Sequence, residues 1–165
     1  MTPAMADDMK PDPQTSLYET DFYAWTPQQA ERLRRATLDG SPEGMDWLHL
    51  AEEIEDMGRE QLQKAESLTE RIIRHLFKLA CTENDAAVRG WRKETRAWRP
   101  QLRRVLKRDP KVLSDLRDEL EQLHGDAAEA ILEDFLIDEP TAPVDTTLRW
   151  TLEQILGEAD DPLDA

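Results

Sequence analysis

The stretch from Asp46 to Leu79, DWLHLAEEIEDMGREQLQKAESLTERIIRHLFKL, decides the fold. Its small and apolar positions Ala51, Ile54, Gly58, Leu62, Ala65, Thr69, Ile72, Leu76 and Leu79 step by three or four without a slip, the spacing of one buried helix stripe. Asp46 stands where an N-cap belongs. The unbroken phase predicts one continuous helix about 50 Å long, at 1.5 Å per residue, forming the spine of a bundle. Gly58 lies on the inward stripe. It costs about 1 kcal/mol against alanine in a helix interior, which points to close approach of a neighbouring helix; the alternative is that it divides two helices.

Outward from this spine the signals stay helical, and no segment sustains the alternation of a strand. On the N-terminal side, Ser16-Leu17-Tyr18-Glu19 has the form of a capping box, and Tyr18, Phe22 and Trp25 are at helical spacing. Thr26 before Pro27 predicts a second capped helix with proline in its first turn, ending at Gly40 before the turn-forming SPEG. On the C-terminal side, after a loop over 82–89, Trp91, Thr95, Trp98, Leu102 and Val105 predict a helix bent at Pro100. Asp109-Pro110 opens another with Leu113, Leu116, Leu120, Leu123, Ala127 and Ile131 inward; its phase argues for continuity through Gly125-Asp126. A Pro- and acid-rich linker over 138–146 leads to Thr151-Leu152-Glu153-Gln154, a cap-like start for a short last helix. The expected organisation is an all-α bundle of about four main helices with short N- and C-terminal helices alongside. Residues 1–15 form a disordered tail, 16–157 one domain, and 158–165 a frayed end.

The order of residues in YETDFYAWTPQQAERLRRATLDGSPEGMDWLHLAEEIEDMGR (18–59), followed by RIIRHLFKL, Trp91-Arg92 and WTLEQIL, resembles the bacterial family catalogued as domain of unknown function 29. The resemblance spans nearly the whole chain. It implies an uncharacterised helical protein with no established activity, whose signature falls here on Tyr18, Asp21, Phe22, Trp25, Trp47, Arg59 and Trp91.

Composition narrows the function classes. A chain of 165 residues can bury one proper core. The lone Cys81 rules out an internal disulfide and suits a reducing compartment; the first fifteen residues lack the apolar segment of a signal peptide, and no apolar run is long enough to cross a bilayer. The reading is cytoplasmic. The net charge of -15 divides unevenly: -9 over 1–60, +8 over 61–108 and -14 over 109–165. Within the basic middle, 89–108 carries nine bases against Glu94. Arg92, Arg96, Arg99 and Arg103 form a stripe that would contact phosphate if free, with Trp91 and Trp98 on the apolar stripe beside it. The acidic remainder favours instead a stripe neutralised within the molecule and both tryptophans mostly buried.

Catalytic and metal patterns are incomplete. Glu52, Glu53 and Asp56 with His75 are the candidates for a carboxylate and histidine metal site, yet the paired Glu-x-x-His motifs of a di-iron bundle are absent, and His49-x-x-Glu52 is reversed and single. His75, between Ile72 and Leu79, reads as structural. Arg59 and Arg92 are expected to pair with acids among Asp21, Glu52, Glu53 and Asp56. Cys81 reads as a small buried residue, and no nucleophile elbow, P-loop or dinucleotide fingerprint occurs. No cofactor is expected. The leading reading is a non-enzymatic bundle acting through a protein partner or as a homo-oligomer. The alternatives are a metal-binding bundle or enzyme, and nucleic-acid binding through 89–108.

Overall fold

A computed structural model describes residues 13–38, 40, 44–134 and 142–164, with side chains from Leu17 onward. Among these residues all regular structure is helical: α1 (Pro13–Thr20), α2 (Phe22–Leu38), α3 (Trp47–Ala80), α4 (Asp85–Arg108), α5 (Pro110–Asp118), α6 (Leu120–Asp134) and α7 (Leu152–Leu156). The spine is continuous, as its phase predicts, and Asp46 caps it by accepting from the His49 amide. The core joins Leu68, Ile72, Leu76 and Phe77 of α3 to Leu102 and Val105 of α4, Val112 and Leu116 of α5, Ala127 and Ile131 of α6, and Leu152 and Ile155 of α7. This cluster takes residues from α3 only from Leu62 onward. The N-terminal half of α3 therefore lies outside the core and packs with α2 as an antiparallel arm.

Gly58 sets the closeness of that arm. A β-carbon built on it would lie 1.9 Å from Thr26 Oγ1 and 3.0 Å from Thr26 Cβ. By helix propensity alone Gly58→Ala would stabilise by about 1 kcal/mol. The clash reverses the sign, and a loss of about 1–3 kcal/mol is expected, as for overpacking. Chemical denaturation of Gly58→Ala checks this, with Thr26→Ala in the same chain restoring part of the loss; a stabilised Gly58→Ala would mean that α2 does not approach so closely.

The local start signals resolve differently from the sequence reading. Thr26 does not cap α2; it sits inside the helix with Pro27 after it. Proline has no N–H to offer Tyr23 O four residues back, and the Thr26 hydroxyl donates to that carbonyl instead, at 3.0 Å. The start is at Asp21, whose carboxylate accepts from the Ala24 amide at 3.0 Å and, across the fold, from the Lys111 amide at 2.7 Å. Asp109, at the N-cap of α5, makes no cap bond to its own helix and accepts from the Tyr23 amide of α2 at 3.1 Å. Two helix starts are thus capped by exchanged aspartates, both buried. Ser16 is likewise no cap, because α1 begins at Pro13; residues 13–15 of the expected tail are helical and 1–12 lie outside the described residues.

Further along, α4 begins at Asp85 under an Asn84 cap, inside the span expected to be a loop, and runs through Pro100. The helix expected to run unbroken from Pro110 divides at Glu119, while Gly125 is helical. Backbone bonds Glu119 N to Asp115 O and Leu123 N to Glu119 O carry across the joint, so the division is local. Part of the predicted linker, 138–141, lies outside the described residues. Thr151 and Gln154 form the expected capping box of α7.

The end expected to fray is folded through Asp164. Leu163 is buried in the core, and Asp161 pairs with Arg99 of α4. A local excess of acid reads as a solvated tail only until a buried base faces it.

Candidate interaction surface

The arm has two unlike sides. The close approach of Thr26 to Gly58 and the ion pair Arg34–Glu55 at 2.6 Å fix its antiparallel register. On the Arg34–Glu55 side lies a cleft of about 450 Å³ lined by Tyr23, Thr26, Pro27, Glu55, Arg59 and Lys111. Its charges are closed on themselves: Arg34 grips Glu55 through two bonds, Arg59 pairs with Asp56 at 2.9 Å, and Lys111 pairs with Asp115. Arg34 holds the Glu55 carboxyl below its ordinary range. Burial, and then the bond to Asp115, raise the Tyr23 hydroxyl.

The opposite side is apolar. Helical spacing puts Leu50, Ile54 and Met57 on one flank of α3, facing away from Glu55, with Trp25 and Arg32 of α2 across from them. Leu50 is 40% and Met57 51% exposed, and Tyr18, 52% exposed, extends the face by an edge contact with Trp25 at 4.9 Å. At the tip, Leu38, Met45 and Leu48 are also exposed. Large apolar groups in water at this density on one element mark a contact surface more often than chance scatter.

The other signature residues serve the same region. Phe22 is buried and stacks with Trp25 at 5.7 Å, while the Arg108 guanidinium lies 5.5 Å from its ring. Trp47 is half-buried at the arm's end. Asp21 serves as a cap, accepting from the Ala24 and Lys111 amides.

The metal candidates do not converge. Glu52, Glu53 and Asp56 are exposed on the arm, whereas His75 lies 19 residues beyond Asp56 on the same helix, about 30 Å away. Among the described residues no three histidine, cysteine or carboxylate groups are placed to hold an ion. His75 stacks on Trp98 at 4.7 Å and near Trp91 at 6.2 Å, with Nε2 3.0 Å from Glu94. Burial, with Lys78 and Arg74 nearby, pushes its pKa down to about 4. Both tryptophans are half-buried, less than their stripe predicts, and the Lys78 ammonium lies 5.6 Å from the Trp91 ring. Burial raises the Cys81 thiol, and its Sγ donates to Phe77 O.

The basic stripe is largely spent inside the molecule. Arg99 is buried; its Nε donates to Ile155 O at 2.9 Å, and its two terminal nitrogens grip Asp161 at 2.7 Å each. Arg103 donates to Leu156 O at 2.6 Å and lies 3.6 Å from Glu158, and Arg96 lies 3.7 Å from Asp164. Arg92 is half-buried. Arg96, Arg99 and Arg103 face the C-terminal segment. Titration with fluorescent DNA or RNA is expected to give no complex at physiological salt. A complex whose log affinity falls with log salt at a slope of about -2 to -3, as three phosphate contacts would give, would show the stripe to be available.

Sequence reasoning missed His124, which anchors the segment before α7. Its Nδ1–H donates to Leu120 O at 2.8 Å and its Nε2 accepts from the Trp150 amide at 3.1 Å, so both nitrogens are used in the neutral ring. Trp150 in turn packs edge-on to Phe77 at 4.9 Å. No spacing within either segment signals a contact 26 residues apart.

No helix among the described residues is long and apolar enough to cross a membrane. A search of curated proteins finds no match. A crystal structure of an α-helical protein of unknown function from Rhodospirillum rubrum is similar in fold, with a TM-score of 0.72 at 24% identity over 88% of this chain and 92% of that one. The family model described as domain of unknown function DUF29 matches residues 17–159, nearly the whole of the fold described above, and the chain belongs to that family.

Proposed function

We propose that this protein acts by holding another protein chain, without chemistry of its own, and that the α2–α3 arm is the surface it offers. The observation that carries this reading is the exposed face of Leu50 and Met57 on an arm that stands outside the core. Such a face is costly in water and is relieved by burial at about 25 cal/mol per Å². The self-neutralised cleft on the opposite side of the arm, with Arg34, Arg59 and Lys111 each committed to a carboxylate, supports a binding role over acid–base work. The lone, buried Cys81 suits work in the cytoplasm.

The test compares native protein with Leu50→Glu and Met57→Glu, each used to retain proteins from the lysate of its own cell and each sized in solution. Glutamate is a good helix former at exposed positions, so the fold should persist. Loss of a retained partner or of self-association in both variants supports the reading; a native protein that engages neither itself nor any other chain overturns it.

A further inference from the structure

We infer that the chain the arm holds is a second copy of itself, in a two-fold dimer formed through the Leu50–Ile54–Met57 face with the arms parallel; this rests on the proposed role of the arm. The charges bordering the face select the partner. Arg32 stands on its α2 edge and Glu53 on its α3 edge, both exposed, and neither has an ion-pair partner among the described residues. The contrast is with the far side of the arm, where Arg34 and Glu55 have closed on each other.

Register then makes the face self-complementary. With Thr26 against Gly58 and Arg34 against Glu55, the antiparallel pairing puts Arg32 and Glu53 within about one turn of the same height, on opposite edges. A two-fold axis parallel to the arm preserves height and exchanges edges. It lays α2 of each copy over α3 of the other, brings apolar flank to apolar flank, and sets Arg32 opposite Glu53 of the second copy, twice. The result is a four-helix bundle of two arms. A uniformly basic partner would suit Glu53 but oppose Arg32, and an acidic one the reverse; a surface bearing both signs in this order is supplied by the same face turned over. The net charge of -15 on each copy opposes association, so ionic strength near 0.15 M, with a screening length of about 8 Å, is the condition in which the apolar contact decides the outcome.

Light scattering on the full chain across a concentration series tests the dimer. A mass that doubles with concentration is expected, with Leu50→Glu and Met57→Glu remaining single at unchanged helical signal. Arg32→Glu alone and Glu53→Arg alone should each weaken the dimer about 2- to 10-fold, as exposed ion pairs do when two are reversed, and the two changes together in one chain should restore it. A dimer indifferent to Leu50→Glu and Met57→Glu, or not restored by the exchange of charges, overturns the proposed geometry. A chain that stays single at every concentration overturns the dimer. If that single chain still retains a different protein from lysate through Leu50 and Met57, the role of the arm survives; if it retains nothing, both fall.

Discussion

Replacing Arg99 by methionine is expected to destabilise the protein by about 3–5 kcal/mol, the range for breaking a buried ion pair by removing one partner. Methionine keeps much of the apolar volume, so the loss falls on polar groups. Arg99 donates to Ile155 O at 2.9 Å and Gln154 O at 3.2 Å, the last carbonyls of α7, where the helix end carries partial negative charge. It also grips Asp161 through two bonds of 2.7 Å, which hold that carboxyl below its ordinary range. Gly157 makes room for it: the backbone there is left-handed at φ 68°, and an added β-carbon would lie 2.5 Å from Arg99 Nη1. Lysine should rescue poorly, because one ammonium does not reproduce a planar fork serving three acceptor groups. Arg96→Met is the control, since Arg96 and Asp164 are both exposed and 3.7 Å apart, and should change stability by no more than about 0.5 kcal/mol. Urea melts of Arg99→Met, Asp161→Asn and the double variant measure the coupling. Equal, small effects at Arg96 and Arg99 would defeat this account.

The same arginine shows where sequence reasoning stopped. Periodicity identified the all-helical class, the unbroken α3 and the inward Gly58, because each is a matter of spacing within one element. The capping box at Thr151 was readable for the same reason. Charge was visible on α4, but its partner was not: Arg99 and Asp161 are 62 residues apart, and an acidic end has the composition of a solvated tail. Local signals also misled where one residue type can do two jobs. Thr26 before Pro27 reads as a cap, while in the fold its hydroxyl serves the carbonyl that Pro27 leaves unbonded. Asp21 and Asp109 each cap a helix distant in sequence, a pairing that no local rule encodes. The apolar face of the arm has a similar history. Leu50, Ile54 and Met57 are plain in the sequence, but which side they share with Arg32 follows only from the register fixed by Thr26, Gly58, Arg34 and Glu55.

Acidification from pH 7 to pH 4 should remove up to about 3 kcal/mol of stability through His75. Its ring is stacked on Trp98 with the side chain 11% exposed, and its pKa is pushed from the ordinary 6.5 to about 4 by burial first, then by Lys78 and Arg74. At neutral pH the ring is uncharged, with Nε2 3.0 Å from a Glu94 carboxylate oxygen. Between pH 6.5 and about 4 the unfolded chain binds a proton that the folded one refuses, so stability is full above pH 6.5 and falls as pH drops through that window. The size follows from the shift at about 1.4 kcal/mol per pH unit. His124, buried with its pKa also lowered, first by burial, adds a loss of the same sign. His75→Phe keeps an aromatic ring against Trp98 and removes the titration. Denaturation midpoints measured from pH 7 to pH 4 should therefore fall more steeply for the native protein than for His75→Phe, leaving in the variant the slope due to His124 and the ion-paired carboxylates. Parallel profiles for the two proteins would mean that His75 titrates alike in the folded and unfolded chains, and that its place between Arg74, Lys78 and Trp98 exerts no hold on its charge.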